Sequence, residues 1–214
     1  MYPVTYEQSP PVDRNRLTVF FRGLMIIPLY IVAMFYGLAA LLAVAVAWFA
    51  LLFTGKWPEG LYDFVAGWSR FSTRLMAYYM LVTDEYPPFD GGEHPEYPVR
   101  LQIGPAKAEY SRIKVFFRYF LAIPIMIVNY VMTLWLLVVA IGMWFAAVFT
   151  GKTSENMTGA MLMPMAYYAR TNAYIFLLTE DWPPFDPADG AAGSTTPPPP
   201  AAGSSPVVPP AASL

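Results

Sequence analysis

The stretch LMIIPLYIVAMFYGLAALLAVAVAWFALLF, residues 24–53, carries no charged side chain over thirty positions. About twenty apolar residues are enough for a helix to cross the hydrocarbon core of a bilayer. A secretory signal is the competing interpretation, because Ala43, Ala45 and Ala47 have the small-residue spacing that signal peptidase accepts, but its apolar part would be far too long. The sequence therefore predicts a retained membrane helix.

A second stretch, residues 119–149, follows the same plan deep inside the chain, where no N-terminal signal could lie. The whole composition agrees, since 57% hydrophobic and 13% charged residues make the chain more apolar than a soluble domain usually is. The chain has no cysteine and a single histidine, His94. No metal site, no cofactor and no nucleic acid are expected.

The chain is internally duplicated. Residues 16–90 and 112–186 align without a gap and share 28 identities in 75 positions. The shared residues include VFFR and FTGK, and the segments TDEYPPFD, residues 83–90, and TEDWPPFD, residues 179–186, end the two copies. We call these last two the closing segments. A repeat of this kind predicts two similar structural units.

Each copy has the features of a helix that enters and leaves a membrane. Arginines and aromatic residues precede the apolar run, and tryptophan, glycine and lysine follow it, so both interfaces have anchoring side chains. Pro28 and Pro124 predict kinks, and Gly55 suits a left-handed helix end. The predicted interfacial anchors are Arg22, Arg118, Trp48, Trp144, Lys56 and Lys152.

A second helix is predicted in each copy, over residues 61–82 and 157–178, and it could either span the membrane or lie at its interface. The first of them carries Asp63, Arg70 and Arg74, each costing about 2.5 to 3.5 kcal/mol at a helix centre. Spanning is favoured because small and polar residues share one stripe. Basic residues are concentrated before each apolar run, which predicts a cytoplasmic N-terminus, central linker and C-terminal tail.

The predicted fold is therefore an all-α integral membrane protein, in which two tandem helical hairpins give four transmembrane helices with pseudo-twofold symmetry, plus interfacial entry helices. The predicted units are residues 1–90 and 97–186, joined by a polar linker at 91–96. Residues 187–214 are rich in proline and alanine and predict a disordered cytoplasmic tail, which could present a proline-rich surface to a protein partner.

Two arginines invite a functional hypothesis. Arg74 and Arg170 are equivalent in the two copies and lie inside the predicted second helices, and Tyr78 and Tyr174 follow each by one turn. Two guanidinium groups with aromatic rings could together bind an anion or a lipid headgroup. The alternative is structural, with each arginine reaching the interface or a backbone carbonyl. The adjacent carboxylates of the first closing segment, Asp84 and Glu85, are interpreted as structural and could meet Arg16 and Arg22 of the same copy.

VFFR, the proline-bearing apolar helix, FTGKWPEG and the TDEYPPF phrase resemble domain-of-unknown-function family 4389 of bacterial membrane proteins, over roughly residues 2–186. The second copy departs from this pattern at FTGKTSEN. The resemblance implies a bacterial cell-membrane protein and no activity. The sequence predicts a structural or accessory multi-pass protein that binds lipids or a partner and is not an enzyme. A small transporter or lipid-handling protein that uses the cleft between the repeats is the alternative.

Overall fold

A computed structural model describes residues 2–10 and 15–186 of the chain, so the predicted tail at 187–214 lies outside the described residues. The structure is mainly helical, with two long helices and one small sheet. Its elements are β1 (Val4–Gln8), α1 (Arg16–Phe20), α2 (Arg22–Met25), α3 (Ile27–Thr54), α4 (Leu61–Tyr79), β2 (Val99–Ile103), α5 (Arg112–Phe116), α6 (Arg118–Thr150) and α7 (Glu155–Ile175).

The entry to each long helix is broken into short pieces. Asn15 is the N-cap of α1, and its side chain accepts a hydrogen bond from the Leu17 amide at 3.0 Å. Pro28 lies in the first turn of α3, where its missing N–H costs nothing. The equivalent Pro124 is inside α6, which continues through it. The two equivalent prolines thus occupy different places in their helices.

The far end of each long helix has the predicted cap. Gly55 and Gly151 adopt positive φ angles of 72° and 76°, and their amides bond the carbonyls of Leu51 and Ala147. Glycine reaches this conformation without the steric cost that a side chain would add. The predicted left-handed end at Gly55 is confirmed, and the chain reverses there into the second helix.

The two copies are related by a twofold arrangement of their leading strands. β1 and β2 pair antiparallel, and Tyr6 faces Leu101. These two positions are equivalent in the repeat, because Tyr2-Pro3-Val4 corresponds to Tyr97-Pro98-Val99. Equivalent residues that face each other in an antiparallel ladder place a local twofold axis between them. The sheet is an addition to the predicted all-α fold.

The helices and the sheet lie in layers. The short strands pack on α4 and α7, which contact each other, while α3 packs on α4 and α6 packs on α7. α4 is consequently buried on nearly all sides. Many of the buried apolar side chains of both copies join in one large cluster, and each copy has a smaller cluster of its own. The entry helices cross over, with α5 against α3 and α1 against α6.

Successive helices in this arrangement run in opposite directions, so α3 and α6 are antiparallel. The end of α3 lies beside the start of the second copy, where the Tyr110 amide donates to the Gly55 carbonyl at 2.8 Å. The Trp48 indole N–H donates to the Val115 carbonyl of α5 at 3.1 Å. The prediction put the turn after α3 and the central linker on opposite sides of a membrane. In the structure the two regions are in direct contact.

Candidate functional site

A buried arginine holds the first closing segment to the start of its own copy. Arg22 is 5% exposed and donates hydrogen bonds to the carbonyls of Tyr78 and Thr83. It also forms an ion pair with Asp84. Its guanidinium lies over the Tyr78 ring, 4.3 Å from the centroid. The predicted meeting of Asp84 with Arg22 is confirmed. The role of Arg22 as an interfacial anchor stays a prediction.

Within the described residues, the equivalent arginine of the second copy, Arg118, forms no ion pair with a carboxylate at salt-bridge distance. Arg118 is fully buried, with its guanidinium 4.0 Å from the centroid of Tyr174. Glu180, which stands where the first copy has Asp84, instead accepts from the Ser111 amide at 2.6 Å. Within the described residues, Arg118 Nε and Nη2 have no hydrogen-bond partner. The aromatic face is therefore its principal electrostatic contact.

A second pair of arginines holds the far ends of the closing segments. Arg74 donates to the carbonyls of Asp90 at 2.6 Å and Gly92 at 3.0 Å. Arg170 donates to the carbonyl of Asp186, also at 2.6 Å, and to that of Pro184 at 3.1 Å. Asp90 and Asp186 are equivalent in the repeat, so the same contact is made twice. Each closing segment is thus fixed along the helix that precedes it.

In the structure, the two arginines and the two tyrosines of the predicted anion site contact different partners. Arg74 and Arg170 bind backbone carbonyls, as in the structural alternative, and Tyr78 and Tyr174 lie under Arg22 and Arg118 instead. Another aromatic ring lies near Arg170, since the centroid of the Tyr2 ring is 5.5 Å from the guanidinium carbon. Sequence spacing could not reveal this exchange, because Arg22 and Tyr78 meet across 56 positions. Anion binding by Arg74 and Arg170 stays a prediction.

The chain directly after the first closing segment lies very close to α4, because Gly91 of that chain faces Gly67 of α4. A Cβ placed on Gly91 would lie 2.5 Å from the Gly67 Cα and 2.7 Å from its carbonyl carbon. The Tyr36 hydroxyl of α3 reaches the same point and donates to the Phe64 carbonyl at 3.2 Å. No larger residue fits at Gly91 without a backbone shift.

A polar cavity of about 90 Å³ opens beside this contact, lined by residues of α4, β2 and the segment between them. Arg70 reaches across it to Glu93 at 2.9 Å, and Arg100 pairs with Glu7 at 2.8 Å. His94 bonds the Asp90 carboxylate at 2.8 Å, which raises the pKa of His94 and lowers that of Asp90. Each arginine that lines the cavity already has a carboxylate within salt-bridge distance.

The other side of the molecule is a broad apolar surface formed by α3 and α6. Residues 22–54 and 118–150 are each long and apolar enough to cross a membrane, and only 22% of the most apolar part of each is buried inside the protein. A core helix of a soluble protein would be mostly buried. Leu38, Leu42 and Val46 are 57%, 61% and 56% exposed, and α6 repeats the pattern.

The remaining predicted anchors lie at the ends of these helices. Lys56 and Lys152 are exposed and follow the two glycine caps. Trp48 and Trp144 are half-buried, each edge-on to the next phenylalanine. Trp48 additionally stacks on Phe116 at 6.4 Å, which ties the end of α3 to the entry of the second copy.

Fold and contacts together define a helical protein of two interlocked repeats, with two helices long and apolar enough to cross a membrane. The family described as Domain of unknown function (DUF4389) matches the chain twice, over residues 16–90 and 112–186. These matches cover more than two thirds of the chain, which therefore belongs to that family. No curated protein and no solved structure matches it.

Proposed function

We propose that the protein is a structural or accessory component of the cell membrane, in which α3 and α6 are immersed in lipid. The exposed apolar surface of these two helices carries the proposal. Leaving so much aliphatic and aromatic surface in water would be costly, since each fully exposed leucine or phenylalanine forfeits about 1.5 to 3 kcal/mol relative to burial. Lipid is the occupant that such a surface requires on both long helices.

The positions of the charged groups among the described residues also support a molecule with one lipid-facing side and one polar side. The arginines that hold the closing segments contact protein atoms, and the ion pairs of Arg70 and Arg100 lie on the side of the sheet and the linker. The space between the repeats is filled, because α4 and α7 contact each other within the common apolar cluster. This packing favours a scaffold over a transporter that uses a cleft between the copies.

Membrane fractionation tests the proposal. We expect the wild-type protein to stay in the pellet after alkaline carbonate extraction. Replacing Leu38 and Leu42 with glutamate should release it or prevent its insertion, because a carboxylate on the lipid-facing surface would have to leave water for an apolar environment without a partner. The matched control replaces Glu93 and Glu96, on the sheet side, with glutamine and should remain in the pellet. Folded wild-type protein in the carbonate supernatant would refute the proposal.

A further inference from the structure

The relative direction of α3 and α6 restricts how the protein can sit in a membrane. The start of α1 lies beside the end of α6, since Arg16 Nε is 3.1 Å from where a Cβ on Gly151 would be. The end of α3 lies beside the start of the second copy, where Gly55 bonds Tyr110. If both helices crossed the bilayer, the two copies would therefore have opposite orientations.

Such a crossing would force the chain between α4 and α5 through the membrane outside the helices. This segment follows α4 from one end to the other. It meets Arg74 through the carbonyls of Asp90 and Gly92, and it meets Tyr62 at the beginning of α4, where the tyrosine hydroxyl donates to the Gly104 carbonyl at 2.6 Å. The segment thus spans the same distance as the helix.

The charges of that segment are exposed along its length. The side chains of Asp90, Glu93 and Glu96 are 64%, 68% and 72% exposed, and Gly91 touches α4 at its interior residue Gly67. Exposed carboxylates and irregular backbone do not occur against lipid inside the hydrocarbon layer. A crossing orientation would place them there, whereas the exposed leucines of α3 require lipid.

One orientation places the exposed carboxylates in water and the exposed leucines of α3 in lipid. The local twofold axis passes through the strand pair and relates α3 to α6, so the axis can coincide with the membrane normal. The sheet and the connecting segment then face water, α4 and α7 form the middle layer, and α3 and α6 face lipid. The exposed apolar residues of the entry helices, including Phe20, Phe21, Phe116 and Phe117, extend the apolar surface at the ends.

We propose that α3 and α6 lie antiparallel in the plane of the membrane, embedded from one side, and that the chain does not cross the bilayer. The partner of this surface is a single lipid leaflet. The inference rests on the proposed membrane function and specifies its geometry. It also accounts for the twofold repeat, because two antiparallel copies give a flat apolar surface and cover each other's second helix, whereas one hairpin alone would leave its second helix half uncovered.

Four single-cysteine variants of this cysteine-free chain test the proposal: Arg16→Cys, Lys56→Cys, Arg112→Cys and Lys152→Cys. All four residues are exposed and lie at the ends of the two helices. An impermeant maleimide is added to intact cells and, separately, after lysis, with labelling in detergent as the full-reaction reference. We expect all four cysteines to react together, either all in intact cells or all only after lysis.

The alternatives give other patterns. Antiparallel helices that cross would place residues 16 and 152 on one side and 56 and 112 on the other, which would overturn the in-plane orientation. Parallel crossing would group 16 with 112 and 56 with 152, and would contradict the packing as well. Recovery of the variants and the wild type in the soluble fraction would refute the membrane proposal itself, which separates the failure of that proposal from the failure of the in-plane orientation.

Discussion

Replacing Gly91 with alanine is expected to destabilise the protein by about 3 kcal/mol, because the new methyl group would overlap backbone atoms. Its carbon would lie 2.5 Å from the Gly67 Cα, in contact with backbone that no rotamer change can move. The chain around Gly91 would have to move away from α4, and the hydrogen bonds from Arg74 to the carbonyls of Asp90 and Gly92 would be lost. The thermal unfolding midpoint in mild detergent measures the effect.

Gly159 provides the control for this substitution. It lies within α7, and a Cβ there would have no atom within 4 Å. Gly159→Ala should stabilise the protein by about 0.5 to 1 kcal/mol, since alanine is the better helix former. If Gly91→Ala unfolded at the same temperature as Gly159→Ala, the close approach of Gly91 to Gly67 of α4 would be wrong.

Replacing Arg22 with leucine is expected to cost about 3 to 5 kcal/mol, the range for removing one partner of a buried ion pair. Asp84, whose side chain is 16% exposed, would lose its counter-charge, and two carbonyls would lose their donor. The double variant Arg22→Leu with Asp84→Leu should recover part of the loss. Unfolding midpoints of the single and double variants in detergent measure both effects.

Arg100→Leu is the matched control for Arg22→Leu. Arg100 pairs with Glu7, but its side chain is 45% exposed, so its loss should cost less than about 1 kcal/mol. Comparable destabilisation by Arg22→Leu and Arg100→Leu would show that the Arg22 contacts do not hold the closing segment.

The repeat itself was fully predictable from the sequence, and so were several local features. The apolar runs predicted the long helices, and Gly55 predicted the left-handed cap. The acidic start of the first closing segment predicted the partner of Arg22. Identities at a constant offset show that two units are equivalent. They do not show how the units are turned relative to each other, because parallel and antiparallel copies produce the same identities.

The identities between the two copies therefore could not predict how the second helices, α4 and α7, are arranged. Asp63, Arg70 and Arg74 made residues 61–82 a marginal membrane span, although spanning was the favoured prediction, and α4 is not among the helices of the described residues that are long and apolar enough to cross a membrane. Its arginines have polar surroundings. Arg70 and Arg74 find those surroundings in the connecting segment, at Glu93 and Asp90. The pairing is remote in sequence and depends on Gly91 reaching Gly67. Local spacing likewise could not predict that Tyr78 contacts Arg22 and not Arg74.

The most direct test of the membrane account is the depth of single labels in lipid bilayers. A bimane attached at Leu42→Cys or at its equivalent Val138→Cys reports on the exposed faces of α3 and α6, where these residues are 61% and 64% exposed. Labels at Glu93→Cys and Gln102→Cys report on the exposed sheet side. We expect strong quenching by doxyl groups within the acyl chains at residues 42 and 138, and quenching by aqueous iodide at 93 and 102. Iodide quenching at residues 42 and 138, without quenching by the doxyl lipids, would contradict the account.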